Sequence, residues 1–461
     1  MDAKELKEKL FNNGKNGFSC LTDDEIDEAF AFCEPYKRFL DGAKTEREAV
    51  SYSIKIAEAN GFTAYEKGKA YTAGDRYYVN NRGKAVAFVV IGEEDASKGV
   101  CIGASHIDSP RLDLKPNPVY EDIELCLLKT HYYGGIKKYQ WATIPLALHG
   151  VFVKKDGTVI SVSIGEEESE PCFIITDLLP HLAQEQSKRS LSDGIRGEEL
   201  NVLIGSRPFR SDEGSELVKL NILNLLYEKY GVTESDFLSA ELEAVPAFKA
   251  RDIGFDKSLI GAYGHDDRVC AYPTLIALTE TKAPRRTAIC VLADKEEIGS
   301  VGNTGLNSDF VRDIIGDIAR MQNVIPEDAL RASRCLSADV SAAVDPTFQD
   351  AFEKRNASFV NYGCVINKYT GARGKSGAND ASAEYMAEIR KMLDDANIVW
   401  QVGELGKVDL GGGGTVALYV AGLGINTVDL GVPVLSMHSP YETVAKLDVF
   451  MTYRALKEFF K

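Results

Sequence analysis

No stretch of this 461-residue chain approaches the about 18 consecutive apolar residues that a membrane-spanning helix needs. Its first residues, Met1-Asp2-Ala3-Lys4-Glu5-Leu6-Lys7, are charged and helical in character, and no apolar signal-peptide core follows them. A soluble, cytoplasmic protein is expected, with no membrane partner. Positive charge is in deficit: 53 Lys and Arg against 69 Asp and Glu give a net charge of -16. That balance argues against nucleic acid and anionic membranes as partners, although a local site can differ in sign from the surface. The nine cysteines include no C-x-x-C pair and lie mostly in apolar surroundings, which excludes a thiolate-zinc or disulfide framework and suits a reducing compartment. Phosphate-binding and serine-hydrolase signatures are missing too. Gly374-Lys375-Ser376 fails the Walker A pattern because Tyr369 stands where its first glycine belongs, and the G-x-S-x-G elbow is absent. The run Gly411-Gly412-Gly413-Gly414-Thr415 reads as a tight turn into a helix.

What is present is an alternation of apolar runs and helical segments. Residues 1 to about 60 read as helices, with N-cap signals at Thr22 and Thr45. Strands are expected at 76–79, 85–91 and 99–105, the last delivering His106-Ile107-Asp108. From about Leu112 to Ala250 the texture changes to short alternating runs with one helix at 215–230. Strand and helix then alternate again to the end, with a final amphipathic helix expected from about Tyr441. The expected fold is α/β: a central sheet with helices on both faces, made of 1–111 and 250–461, and a β-rich domain, 112–249, inserted into it.

Open α/β sheets place their chemistry where strands give way to loops. The run 287–293 ends in Asp294-Lys295-Glu296-Glu297-Ile298-Gly299-Ser300, so two adjacent carboxylates sit at such a point. An isolated Glu-Glu pair is more often a solvated turn. Here four other points of the chain deliver similar groups: His106 and Asp108, Asp266 and Asp267, Asp339, and His438. Taken singly, each reads as a loop pair, an N-cap, a turn acid or a helix-entry residue. Jointly they suit a metal centre rich in oxygen ligands. A two-metal site needs about five ligands with one carboxylate bridging. His106, His438, Glu297, Asp339 and a bridging Asp266 make that number, and Glu296 is left over as a general base. Asp108, two residues from His106, lies on the same strand face and can hold the imidazole in one tautomer.

The segments Ala104-Ser105-His106-Ile107-Asp108-Ser109-Pro110, Lys295-Glu296-Glu297-Ile298-Gly299-Ser300, Ser337-Ala338-Asp339-Val340 and Ser436-Met437-His438-Ser439 resemble, in order, the motifs of the aspartyl aminopeptidase family of dinuclear zinc exopeptidases. The resemblance implies that His106, Asp266 and Asp339 hold one metal and Asp266, Glu297 and His438 the other. It implies Glu296 as the base and Asp108 as the residue orienting His106. It also implies a zinc exopeptidase-like fold with a dimerisation and substrate-access domain inserted after the H-x-D strand, and dimers that assemble into a dodecamer. A histidine of that domain reaches a neighbouring subunit's active site, and Leu178-Leu179-Pro180-His181-Leu182 makes His181 the candidate. Two departures point to a divergent, bacterial-type branch. Asp266-Asp267 stands where the family has Asp-Asn, which leaves open which aspartate bridges. Trp141-Ala142-Thr143-Ile144-Pro145 stands where it has Trp-x-Asp-Arg.

The expected activity is removal of the N-terminal residue of short peptides by a metal-activated water, with acidic first residues as the preference the resemblance suggests. The ions are two divalent metals, zinc first, with cobalt or manganese compatible with the same ligands. A two-metal deacylase of N-acyl amino acids and a catalytically silent assembly protein of the same fold are the alternatives.

Overall fold

The apolar runs pair into a nine-stranded sheet whose two faces are both buried. The computed structural model describes residues 2–12, 14–211 and 214–461. Along the sheet the strands run Thr63–Ala64, Arg76–Asn81, Ala85–Val90, Ala288–Ala293, Cys101–His106, Arg334–Ser337, Asn426–Gly431, Cys364–Asn367 and Trp400–Val402. Alternation is strict. Cys290 and Leu292 point into one core while Ile289 and Val291 point into the other. The first core is packed by helices Asp23–Gly42, Glu46–Ala59, His265–Glu280, Ala383–Asp395 and Lys446–Phe459, and the second by Phe310–Met321, Pro326–Ala332 and Ala417–Gly422. This is the α/β sheet with helices on both faces that the sequence pattern predicts.

Three neighbouring strands at the centre, Ala288–Ala293, Cys101–His106 and Arg334–Ser337, are mutually parallel. Their C-terminal ends therefore lie side by side. Local chemistry sets the entry to the long helices. Thr22 and Thr45 each accept from the backbone of the glutamate three residues on, Glu25 and Glu48, whose side chain returns the bond. Each such cap contributes about 1 kcal/mol.

A second, six-stranded antiparallel sheet is built from Val159–Ile164, Leu146–Val153, Ala240–Pro246, Arg111–Asp122, Leu125–Tyr133 and Asn201–Gly205. It has its own core around Trp141, Phe152 and Leu242. Helix Leu217–Tyr230 lies against it and ends at Gly231, whose φ of +63° suits glycine.

The third sheet has no counterpart in the sequence pattern. It joins the short strands Arg251–Ile253, Leu259–Ala262, Glu442–Ala445, Pro433–Leu435 and Ser341–Ala342. Here the expectation of a final helix from about Tyr441 is corrected: Glu442–Ala445 is a strand and the helix is Lys446–Phe459. Thr443 and Val444 pair with Leu435 and Val434 on one side and Gly261 and Ile260 on the other, and those long-range bonds hold the segment extended.

Candidate metal centre

Two sheets bring the candidate ligands together. The parallel strands of the nine-stranded sheet deliver His106 as a last residue, Glu296 and Glu297 in the 3-10 turn Glu296–Ile298, and Asp339 two residues past Ser337. The five-stranded sheet delivers the other two. Asp266 follows strand Leu259–Ala262 and His438 follows Pro433–Leu435, with Glu442–Ala445 paired between them. Asp266 sits at the entrance of helix His265–Glu280 with an extended ψ of 107°, before the helix settles. Asp339 is seated by contact. Its carbonyl would lie 1.8 Å from any Cβ at position 431, so only Gly431 fits there.

Asp266 stands between the two imidazoles. Its Oδ1 is 3.1 Å from His106 Nε2 and its Oδ2 is 3.1 Å from His438 Nε2. Glu297 Oε1 is 3.5 Å from His438 Nε2, and Glu296 Oε2 and Asp339 Oδ1 lie 3.8 and 3.9 Å from His106 Nε2. Among the described residues, three groups have ligand atoms all within 4.8 Å of one another: Asp266, Glu297 and His438; His106, Glu296 and Glu297; His106, Asp267 and Asp339. Asp267 therefore also reaches the cluster, but its Oδ2 accepts the His106 backbone N–H at 3.3 Å.

Both imidazoles are oriented alike. His106 Nδ1 donates to the Asp108 carbonyl at 3.0 Å and His438 Nδ1 donates to the Gly135 carbonyl at 2.7 Å. A carbonyl only accepts, so the neutral ring carries its proton on Nδ1 and turns the Nε2 lone pair into the cluster, as metal-ligating histidines do. Asp108, expected to fix the tautomer with its side chain, does so first through its backbone. Its carboxylate is 3.4 Å from His106 Nδ1 and accepts the N–H groups of Glu296 and Glu297, both at 3.2 Å, and the Tyr133 hydroxyl at 2.9 Å. Glu442 does similar work at the other side, accepting from His438 N at 2.7 Å and Asp266 N at 3.0 Å. Tyr133, Gly135 and Glu442 were not found from the sequence. Glu442 is the one with a signal there, as an acid four residues after His438.

The charges do not balance by themselves. His106 and Asp266 are almost wholly buried, and so is the Glu297 carboxylate. Burial pushes the carboxyls of Glu297 and Asp339 well above the usual range, with Asp266 adding to the first and Asp267 to the second. Glu296 is pushed up to about 7, by burial first and then by Asp108 and Asp266 against the pull of His106. Burial opposes charge on the imidazoles, yet Asp108 and Asp266 raise His106 well above its usual value, and Asp266 and Glu297 raise His438 to about 10. Burial would also raise Asp266, but its bonds from His106 and His438 hold it below the carboxylate range. Among the described residues the buried Glu297 Oε1 has no hydrogen-bond partner, while the Asp267 carboxylate also takes the Cys270 thiol. An excess of buried carboxylate oxygens facing two imidazole Nε2 atoms, whose protons a bound cation would displace, fits divalent cations of the zinc type.

The cluster forms one wall of a cleft of about 600 Å³, to which Asn367, Thr370, Leu405, Thr415, Leu418 and Met437 also contribute. Gly412, Gly413 and Gly414 line it, just ahead of helix Ala417–Gly422. His181 is not part of the cluster: it is exposed, between Leu179 and Ala183 of the six-stranded sheet's long connection.

The fold and this centre define a metal-dependent exopeptidase, and comparison gives the family. Residues 39–460 match the family described as Aminopeptidase I zinc metalloprotease (M18), and the chain belongs to it. A "Probable M18 family aminopeptidase 1" of Clostridium acetobutylicum is 48% identical over 458 residues, covering 98% of both chains. The crystal structure of an M18 aminopeptidase from Thermotoga maritima superposes with a TM-score of 0.94 at 44% identity, covering 98% of this chain and all of that one. A dodecameric yeast protein, mApe1, shares the fold at a TM-score of 0.75 and 21% identity, over 95% of this chain and 97% of its own. The chain is thus a metal-dependent aminopeptidase, hydrolysing the N-terminal residue of peptides, of a family that uses zinc. Among the described residues, no helix is long and apolar enough to cross a membrane.

Proposed function

We propose that the cleft holds two divalent ions, His106, Asp266 and Asp339 on one and Asp266, Glu297 and His438 on the other, with Glu296 as the general base. The observation that carries this reading is the placement of Asp266, one oxygen 3.1 Å from each imidazole Nε2. It favours Asp266 over Asp267 as the bridge, since Asp267 Oδ2 is already engaged by the His106 amide. Bound there, such ions would lower the pKa of a water and polarise the scissile carbonyl. Glu296 takes the proton of the attacking water and passes it to the leaving amine. Asp108 holds the Glu296–Glu297 turn in register by accepting both its amides. The surplus of carboxylates gives the substrate's α-ammonium a counter-charge, which confines cleavage to the first residue.

The first residue, on this reading, is uncharged. Among the described residues, no Lys or Arg lines the cleft. Its lining includes Thr415 and, each with a buried oxygen that has no partner among the described residues, Asn367 and Thr370, beside Leu405, Leu418 and Met437. An acidic side chain would be buried there without a counter-ion, at a cost of at least about 1.4 kcal/mol, or tenfold in rate. Zinc-loaded enzyme is therefore assayed with aminoacyl anilides and N-acetyl amino acids. Leu, Ala or Thr anilides are expected to exceed Asp and Glu anilides in kcat/KM by at least about tenfold, with no turnover of the N-acetyl compounds. Faster cleavage of Asp anilide would overturn the side-chain reading, and faster N-acetyl hydrolysis would favour the deacylase.

The unit 112–249 serves on this reading as an inserted domain for self-association. Its exposed Leu178, Leu179, Leu182 and Leu191 support that role, as does the dodecamer formed by the yeast protein of the same fold. His181, among those leucines, would then serve a neighbouring subunit's site. A monomer by light scattering at assay concentration would refute this. The cytoplasmic setting is favoured by seven buried cysteine thiols, at 33, 101, 126, 270, 290, 335 and 364. A chain found secreted on fractionation of the cells would contradict it.

A further inference from the structure

The six-stranded sheet supplies none of the proposed ligands, yet its strand Leu125–Tyr133 runs up to the centre. Three consecutive residues there touch three members of it. The Tyr133 hydroxyl donates to Asp108 Oδ2 at 2.9 Å. Gly134, at φ +74°, passes so close to Glu297 that a Cβ would stand 2.9 Å from its Oε2 and 3.3 Å from its Cβ. The Gly135 carbonyl accepts His438 Nδ1–H at 2.7 Å. Behind them the Arg111 guanidinium lies 4.0 Å from the Tyr133 ring centroid. It is itself held by buried Glu46 at 3.1 Å and Glu243 at 3.3 Å.

We propose that Tyr133-Gly134-Gly135 is a clasp through which the six-stranded sheet positions the base turn and the Glu297–His438 half of the metal centre. The proposal rests on the ligand assignment above. Asp108 accepts three donors, Tyr133 Oη and the amides of Glu296 and Glu297. Without the hydroxyl the carboxylate loses the bond that opposes its swing toward His106, and the base turn loses its register. Gly134 leaves Glu297 the space it needs to face His438. Gly135 fixes the His438 proton on Nδ1 and so frees Nε2. Tyr133 and the two glycines are positioning residues, since none is placed to touch the scissile bond.

Full-length variants stripped of metal are titrated with zinc against a chromophoric chelator, and kcat and KM are measured at saturating zinc. Gly134→Ala is expected to bind zinc about 10- to 100-fold more weakly. Gly157→Ala is the control. It lies in a turn of the same sheet, also at positive φ (+87°), but no atom lies within 4 Å of its added Cβ. It is expected to bind zinc as wild type does. Tyr133→Phe keeps the ring over Arg111, and its kcat is expected to fall at least about tenfold while KM stays within about twofold. Wild-type zinc affinity in Gly134→Ala, or wild-type kcat in Tyr133→Phe, overturns the proposal. Equal zinc losses in Gly134→Ala and Gly157→Ala overturn it as well, because backbone strain then accounts for both. Glu297→Gln in the same titration tests the ligand assignment separately. Full affinity there removes the basis of the clasp, whereas loss there with none in Gly134→Ala removes the clasp alone.

Discussion

Glu442 offers a sharp test of how the five-stranded sheet holds the centre. It is 1% exposed, and each of its carboxylate oxygens accepts one backbone N–H, Oε1 from His438 at 2.7 Å and Oε2 from Asp266 at 3.0 Å. Those amides belong to two proposed ligands that no regular hydrogen-bond ladder joins directly. Glu442→Gln keeps the shape but can accept through one oxygen only, and its amide NH₂ must face an N–H. A buried N–H left without an acceptor costs roughly 1–3 kcal/mol, so zinc affinity is expected to fall roughly 5- to 150-fold. The assay is zinc titration of the apoprotein against a chelator, followed by kcat at saturating zinc, where most activity should return because neither base nor ligand has been removed. Wild-type zinc affinity in Glu442→Gln would refute the reasoning, for the two amides would then need no common acceptor.

Two further outcomes follow from the packing and charge. Gly431→Ala places a Cβ 1.8 Å from the Asp339 carbonyl, a clash with backbone that nothing flexible relieves. It is expected to lower Tm and weaken zinc binding together, and an unchanged Tm would contradict it. His149, buried in the six-stranded sheet, bonds Glu48 at 2.7 Å and Glu166 at 3.0 Å. Burial would lower its pKa, but Glu166 and Glu48 raise it, so its stabilisation is complete below about pH 6.5 and is lost as pH rises through the higher folded value. Glu166 runs the other way: burial opposes its charge, but His149 and Lys44 hold it at about 2, so its share is complete above about pH 4.5 and is lost as pH falls from there through the folded value. The Tm deficit of His149→Gln should thus be largest near pH 6 and shrink in alkali; a deficit that grows with pH would show the ring is held neutral.

The parts of the centre that were legible in the sequence share one physical cause. His106, Glu296, Glu297 and Asp339 each come just after a run of apolar residues, because a buried parallel strand must be apolar and must end at the sheet's edge, and His438 follows the short apolar strand Pro433–Leu435 of the mixed five-stranded sheet. The two-sided core was legible for the same reason. What was not legible depends on distant pairing. Strands such as Leu259–Ala262 and Glu442–Ala445 are four residues long, too short for a periodic signal, and Glu442–Ala445 resembles the first turn of the helix it precedes. Cys364–Asn367 was missed likewise. Which of Asp266 and Asp267 stands between the imidazoles could not be decided from adjacency; it depends on two sheets meeting, which leave Asp266 3.1 Å from each Nε2 and Asp267 Oδ2 on the His106 amide. Tyr133 and the glycines after it read as the end of an ordinary hairpin strand, since nothing in their own neighbourhood records that Asp108, Glu297 and His438 lie against them.

The central claim is that Glu296 and Glu297, adjacent in sequence, divide into a base and a ligand. Zinc stoichiometry and turnover measured on the same preparations of wild type, Glu296→Gln and Glu297→Gln test it most directly. Wild type is expected to bind two zinc ions per chain. Glu296→Gln should keep both and lose about 10²- to 10⁴-fold in kcat, and Glu297→Gln should bind only one tightly. Full activity in Glu296→Gln, or two tightly held ions in Glu297→Gln, would contradict the account.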